Sequence, residues 1–381
     1  MIPREFWKTQ IVKAWEKAPI VWLTGVRRVG KTTLTKEIGD AVYLNCDLPS
    51  VVQQLQEIEQ FYSSLAVKKI ILDEIHQLPD PSKLLKIAAD DFPELKVLAT
   101  GSSTLSATQK FRDSLAGRKR VIHLLPVLAS ELNAFGVSDI KHRLLRGGLP
   151  QCLLSEEHDL PFYAEWLDSF FARDVQELFR VEKRSAFLKL FEMLLRQSGS
   201  LMEVTSLSKH CGISRPTVMN YLDVLQMTHA VILLRPFADG GRREIVAQPK
   251  VYGFDTGFVA YSRAWTDLRP SDLGPLWEHL VLETLRSFTP DKDIHFWRDK
   301  QRTEIDFVIP RSRSSVDAIE CKWSASAFEI QAFSKFRTNY PEGRNVLVAT
   351  QETKPYTRLI DGLELTFTNV LDLQSVLTDR L

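Results

Sequence analysis

These 381 residues are short of several things, and each absence narrows the reading. No apolar run approaches the roughly 20 residues that a membrane-crossing helix needs, so no membrane role is expected. The opening segment, MIPREFWKTQ, has no apolar stretch of the secretory kind. Cysteine is scarce. Cys46, Cys152, Cys211 and Cys321 are scattered with no C-x-x-C spacing, and they read as reduced, mostly buried thiols of a cytoplasmic protein. Charge of one sign is missing too. Against 49 Lys and Arg stand 48 Asp and Glu, a net charge of +1, so any nucleic-acid site is a local patch rather than a global field. There is no internal repeat and no low-complexity segment. What remains is an ordinary globular composition, long enough for roughly two to four domains.

Against that background one segment stands out. Gly25-Val26-Arg27-Arg28-Val29-Gly30-Lys31-Thr32 fits G-x-x-x-x-G-K-[ST]. It lies between PIVWLT, a short apolar run that predicts a strand, and TTLTKEI, which predicts a helix. Gly25 and Gly30 let the backbone turn tightly and aim N–H groups at phosphates. The following helix N-terminus favours the same negative charge. Lys31 reaches the outer phosphates, and the Thr32 hydroxyl suits Mg²⁺. Arg28, Val29 and Thr33 complete the expected ATP-binding stretch.

Downstream, KKIILDE predicts a strand that ends in Asp73 and Glu74. Asp73 suits a metal ion, and Glu74 suits a general base acting on water. A third strand, LKVLAT, leads into Gly101-Ser102-Ser103, where Ser102 or Ser103 would sit between phosphate and water. Arg118 precedes a fourth apolar run, VIHLLP. It is a candidate for contact with a γ-phosphate, in its own subunit or in a neighbour's.

Residues 127–182 read as helical, with a break at Gly147-Gly148-Leu149-Pro150, in the position of a lid. Arg173-Asp174 is either structural or close to the nucleotide. From about 184 to 250 the pattern predicts three helices, a tight turn at Gly212-Ile213-Ser214 and a basic hairpin, which is the outline of a winged helix-turn-helix. Its DNA-contacting version would use Arg215, Thr217 and Asn220 on the third helix and Arg242 and Arg243 in the wing. The same outline also serves as an inter-domain or subunit contact.

The C-terminal third carries a second set. LWEHLVLETL predicts a helix bearing Glu278. EIDFVI and VDAIECKW predict strands. Residues two apart share a face, so Asp306 is expected beside Glu304 and Val308, with Ile305, Phe307 and Ile309 opposite. Glu320 and Lys322 are expected beside Ala318. Each strand then has one apolar face and one acidic face. If the two pair, Glu278, Asp306, Glu320 and Lys322 converge. Carboxylates at Asp306 and Glu320 suit Mg²⁺, and Lys322 suits the charge that develops in phosphodiester cleavage.

In sequence order, GVRRVGKTTL, ILDEIHQLPD, LATGSSTL, SLAGRKR, GGLP, KVYGFDTGF and FWRDKQRTEIDFV…IECKW resemble the prokaryotic AAA-type ATPases whose C-terminal domain has long been labelled as of unknown function. The resemblance covers nearly the whole chain. It implies an ATPase core, a winged-helix segment and a restriction-endonuclease-like C-terminal fold. At the position of Arg28 that pattern often has glutamine. The resulting expectation is an α/β multidomain chain: a P-loop core over 1–126, a helical lid over 127–182, a winged helix-turn-helix over 183–250 and a nuclease-like domain over 251–381. The expected function is ATP hydrolysis coupled to DNA processing by a homo-oligomer, a ring among the options. A remodelling motor without cleavage and a slow nucleotide-gated switch are the alternatives.

Overall fold

The computed structural model describes residues 2–101, 109–176, 179, 181, 183–237 and 248–378. Strands β1 (Ile20–Thr24), β2 (Val42–Asn45), β3 (Lys69–Asp73), β4 (Lys96–Thr100) and β5 (Lys119–His123) form a parallel sheet in the order β2-β3-β4-β1-β5. Every residue of β1 is buried. Val21 and Leu23 enter one core with Trp7, Ile11 and Trp15 of the helix Glu5–Lys17. Ile20 and Trp22 enter the core on the other side. A strand covered on both faces reads as continuous apolar sequence, and PIVWLT does. Because all five strands run the same way, the residues after β1, β3 and β4 emerge at one edge of the sheet. That edge is where ligands of open α/β sheets sit.

From Ile140 to Gln176 the described residues are largely helical. Helices Ile140–Arg146, Pro150–Leu154 and Leu160–Phe170 are followed by a π-helical turn, Phe171–Gln176. The break falls at Gly147, with φ +77°, and Gly148. A side chain on either would collide with a neighbour, Asp255 in one case and Arg143 in the other.

Beyond this, helices Arg184–Arg196, Val204–Cys211 and Arg215–Met227 form a trio. Ser214 caps the third helix, its Oγ accepting from the Thr217 N–H at 3.2 Å. Strands β6 (Ser200–Leu201), β7 (Val231–Pro236) and β8 (Lys250–Gly253) lie beside the trio. Arg242 and Arg243 lie outside the described residues, as do Ser102 and Ser103.

The expected boundary after residue 250 does not survive. It falls inside β8. Strands β9 (His295–Arg298), β10 (Glu304–Pro310), β11 (Val316–Lys322), β12 (Asn345–Ala349), β13 (Tyr356–Ile360) and β14 (Leu363–Thr368) continue the same sheet, giving nine strands in the order β13-β14-β12-β11-β10-β9-β7-β8-β6. The join is a parallel pairing of β7 with β9, Arg235 opposite His295 and Pro236 opposite Phe296. Backbone pairing between segments some 60 residues apart leaves no composition signal.

Two expectations about the C-terminal strands are also corrected. Neither strand divides into one apolar face and one acidic face, because the sheet is covered by apolar side chains on both sides. The helix Pro270–Arg286 packs with Phe307, Ile309, Ile319 and Cys321. The helix Gln331–Asn339 packs with Ile305, Val308, Val316 and Ala318. Strict alternation also fails within β10. Its register against β9 shifts between Ile305 and Val308, so Ile305 shares a core with Val308 rather than with Phe307. A bulge inserts one residue and resets the period of two.

Candidate functional site

The phosphate loop leaves β1 at Gly25, whose φ is +149°, and a Cβ there would strike the carbonyl of Leu124. Gly30, at φ +100°, begins the helix Lys31–Lys36. Arg28 also adopts a left-handed conformation, φ 62°, with its guanidinium 5.1 Å above the Phe162 ring. Val29 is fully buried, its carbonyl accepting from Arg4 Nη1 at 3.3 Å. Lys31 folds back on the loop, donating to the carbonyls of Gly25 at 2.9 Å and Val26 at 3.1 Å. Burial pushes its ammonium below the usual lysine range, while Glu74 and Asp174 pull the other way.

Asp73 ends β3 in the core. Its carboxylate accepts from the Tyr43 hydroxyl at 2.7 Å and from the Thr100 hydroxyl. The Thr100 Oγ also accepts from the Glu74 N–H at 3.0 Å, so one hydroxyl aligns both acids. Glu74 is left-handed, φ 57°, and lies 3.2 Å from His76 Nδ1. Burial alone would raise its carboxyl, but His76 and Lys31 outweigh that and hold it below the usual glutamate range. It is therefore a carboxylate at neutral pH.

The Gly25–Thr32 loop and Glu74 open onto a cleft of about 1010 Å³, lined among others by Lys31, Thr32, Thr33, Glu74, Arg173 and Asp174, while Asp73 and Thr100 lie buried behind it. Arg173-Asp174 thus approaches the loop. Arg27 Nε donates to Asp174 Oδ2 at 2.9 Å, tying the π-helical turn to the Gly25–Thr32 loop. Arg118 does not belong to this cleft in its own chain. Lys119 pairs with Ile20 at the start of β1, whereas the loop leaves after Thr24, beside His123. Four residues of strand, roughly 13 Å, separate the two ends. Arg118 is occupied by Asp90, with Nε 2.5 Å from Oδ1.

Sequence reasoning did not single out Tyr43, Thr100 as an aligning group, or the His123–His229 stack. The two imidazoles lie 3.9 Å apart, and His229 Nε2 is 3.3 Å from Thr24 Oγ1 at the root of the loop. Only the polar Thr100 ending an apolar strand hinted at the second, and nothing at the first.

The second set does converge. Asp306 Oδ2 accepts from the Cys321 N–H at 2.8 Å, where β10 and β11 no longer pair. Glu320 Oε1 accepts from Lys322 Nζ at 2.6 Å. Glu278 takes the Tyr252 hydroxyl and the Lys250 ammonium, the latter at 3.1 Å. Burial, with Glu320 and Glu278 nearby, pushes Asp306 well above the usual aspartate range. Lys250, Tyr252 and the pairing of Glu304 with Lys250 were not foreseen. On the third helix of the trio Arg215 and Asn220 are exposed, and Thr217 is half-buried against Ser214.

Residues 17–133 match the family described as AAA domain. The first third of the chain is thus similar to AAA-type P-loop domains. Residues 137–269 and 273–367 match two families, each described as a domain of unknown function, DUF8612 and DUF4143. Uncharacterized proteins of Mycobacterium bovis and Mycobacterium tuberculosis are each 27% identical over 322 residues, covering 82% of this chain and 72% of the relative. Solved structures with partial likeness include the replication initiator DnaA bound to AMPPCP and single-stranded DNA. It is 13% identical, with a TM-score of 0.29, over 58% of this chain and 86% of that one. The Bacillus subtilis DNA clamp loader delta protein is 12% identical, with a TM-score of 0.27, over 74% of this chain and 99% of that one. Scores this low assign no property to the present chain. Among the described residues no helix is long and apolar enough to cross a membrane.

Proposed function

We propose that this chain is an ATP hydrolase that couples nucleotide turnover to work on DNA, acting as a homo-oligomer. The observation that carries the ATPase reading is the shared anchor of Asp73 and Glu74 on Thr100, at the edge where the Gly25–Thr32 loop opens. Lys31 leaves the carbonyls of Gly25 and Val26 for the outer phosphates, which are better acceptors because they are charged. Glu74, already ionised, takes the proton of the attacking water.

Mg²⁺ fits this donor set. Thr32 supplies a hydroxyl on the cleft wall, and Asp73 a carboxylate already held in place by two hydroxyl groups. Bound there with ATP, the ion would neutralise phosphate charge.

The DNA reading rests on the three-helix trio and its strands, which follow the order of a winged helix-turn-helix. The capped third helix carries Arg215 and Asn220 on its exposed side. Arg242 and Arg243 are proposed as phosphate contacts of the wing. In the assembly, Arg118 is proposed to serve a neighbour's nucleotide, and Ser103 to orient the attacking water. Asp306, Glu320, Lys322 and Glu278 are proposed as a nuclease-like constellation.

The deciding experiment compares ATP turnover without nucleic acid and with single-stranded, duplex and branched DNA at low salt, where phosphate contacts are strongest. Stimulation by one form supports the reading. A flat response, with no DNA affinity at low salt, sinks it in favour of a nucleotide-gated switch acting on protein partners.

A further inference from the structure

The Gly25–Thr32 loop carries three cations, Arg27, Arg28 and Lys31, and each is already engaged. Lys31 rests on the carbonyls of Gly25 and Val26. Arg28 lies over the Phe162 ring, 5.1 Å from its centroid. Arg27 is held by an anion. Its Nε donates to Asp174 Oδ2 at 2.9 Å, with 26% of the arginine side chain and 18% of the aspartate exposed. Both residues line the cleft onto which Lys31 and Thr32 open. The main chain at Arg27 is fixed separately, since its carbonyl accepts from Trp166 Nε1 at 3.0 Å. Trp166 is itself fully buried and stacked on Phe170 and Phe254. The Arg27 side chain can therefore change partner while its backbone stays in place.

Asp174 sits in an uncommon piece of backbone. The turn Phe171–Gln176 is π-helical, a geometry used mostly in short pieces and frequently at functional sites. It brings Arg173 and Asp174 to the cleft while Phe171 and Val175 stay buried. Phe171 packs on Phe187 of the helix Arg184–Arg196, ring centroids 5.6 Å apart, and the Arg184 guanidinium lies 5.5 Å from the Phe171 ring. The turn thus touches the Gly25–Thr32 loop on one side and the first helix of the trio on the other.

A triphosphate held by Lys31 brings several negative charges to the wall that Asp174 lines. Arg27 then faces two competing anions. Phosphate oxygens match the guanidinium fork as a carboxylate does, and a triphosphate carries more charge. Asp174, left beside the phosphates, meets like charge and is repelled. We propose that the Arg27–Asp174 pair is a latch that the triphosphate opens: Arg27 passes to the phosphates, and the π-helical turn, freed from the loop, moves relative to the three-helix trio. The latch rests on the reading of this cleft as a nucleotide site. It adds a phosphate-contacting arginine from the same chain and a route by which the nucleotide acts on the trio.

The test measures binding of a non-hydrolysable ATP analogue, with Mg²⁺, to the full chain as wild type, Arg27→Gln, Asp174→Asn and the double variant. A pair that exists before binding and is gone afterwards makes the two changes non-additive in affinity. Wild type is expected to bind about five-fold more weakly than the three variants together predict, the upper reach of a part-exposed ion pair. Independent effects, with wild type binding as predicted, would show that the pair survives and would overturn the latch alone. Hydrogen exchange of the wild type gives a second reading that needs no variant. The amides of Phe171–Gln176 are expected to exchange faster with the analogue bound, and unchanged or slower exchange would overturn the latch. Absence of any binding by wild type would sink the nucleotide-site reading, and the latch with it.

Discussion

Arg143 of the helical segment and Glu283 of the helix Pro270–Arg286 form an ion pair in which neither side chain is exposed. The guanidinium also donates to the Val127 carbonyl and the Thr256 hydroxyl, both at 2.9 Å. His279 Nε2 approaches the other Glu283 oxygen at 3.6 Å. One arginine thus joins the segment that follows the ATPase sheet to the C-terminal half. Breaking such a pair from one side leaves a buried charge alone. Arg143→Ala is expected to cost about 3–5 kcal/mol in denaturant unfolding. The double change to Arg143→Met with Glu283→Leu should recover part of that loss. A small effect of Arg143→Ala alone would show that the two halves are not coupled through this pair.

The pH dependence of stability has a definite sign. Burial pushes His279 down to about 3 and His229 down to about 4. A histidine depressed in the folded state adds stability above its unfolded value near 6.5, lost as pH falls toward the folded one. Glu283 acts the other way. Burial pushes it up to about 7 against the pull of Arg143, so its share of stability is present below pH 4.5 and lost as pH rises through 7. The opposing slopes flatten the profile between about pH 4.5 and 6.5. Glu283→Gln should remove the falling contribution, so that stability climbs steeply with pH over that window. Unfolding curves at several pH values would reveal it, and an unchanged slope would refute the assignment.

Glu74→Gln is expected to keep ATP binding and lose roughly 10²–10⁴-fold in turnover, the usual share of a general base. Lys31→Ala is expected to lose nucleotide binding as well, because a lysine at this loop position, here on the cleft wall, suits the outer phosphates. Fluorescent-nucleotide binding beside single-turnover hydrolysis separates the two. Undiminished turnover in Glu74→Gln would remove it from the chemistry.

Arg118 sits at the far end of the sheet from the phosphate loop of its own chain, held by Asp90. Arg118→Ala should leave ATP affinity intact. Its turnover should fall below wild type only at protein concentrations where subunits assemble. An equal deficit at all concentrations would contradict action on a neighbour.

On the exposed side of the third helix of the trio, Arg215→Ala should weaken DNA binding across sequences and lower the salt slope by about 1, as expected when one phosphate contact is lost. An unchanged slope would point to a protein-contact role for this helix.

Much of the N-terminal domain was legible in the chain. The Gly25–Thr32 loop is a contiguous string whose residue types are set by local backbone geometry and phosphate chemistry. The strands that bear Thr24, Asp73 and Thr100 are buried on both faces and announce themselves as apolar runs. The helical trio was legible from the spacing of Phe187, Leu190, Phe191 and Leu194, and from Ser214 as a cap. Pairing between β7 and β9 was not legible, since the backbone groups that pair are the same for every residue. Nor was the bulge at Asp306, which breaks the alternation on which the face assignment depended.

From the sequence came a G-x-x-x-x-G-K-T loop and an acidic pair at strand ends, and the expectation that Glu278, Asp306, Glu320 and Lys322 converge if their strands pair. Only the tertiary structure decided which counter-ions those acids meet. Lys250 reaches Glu278 and Glu304, Arg143 reaches Glu283, and Arg118 is turned away from its own nucleotide cleft. The physical reason is range. Turns, caps and periodicity act over a few residues, whereas a buried charge is satisfied by whichever opposite charge the packing delivers, here from as far as 140 residues along the chain.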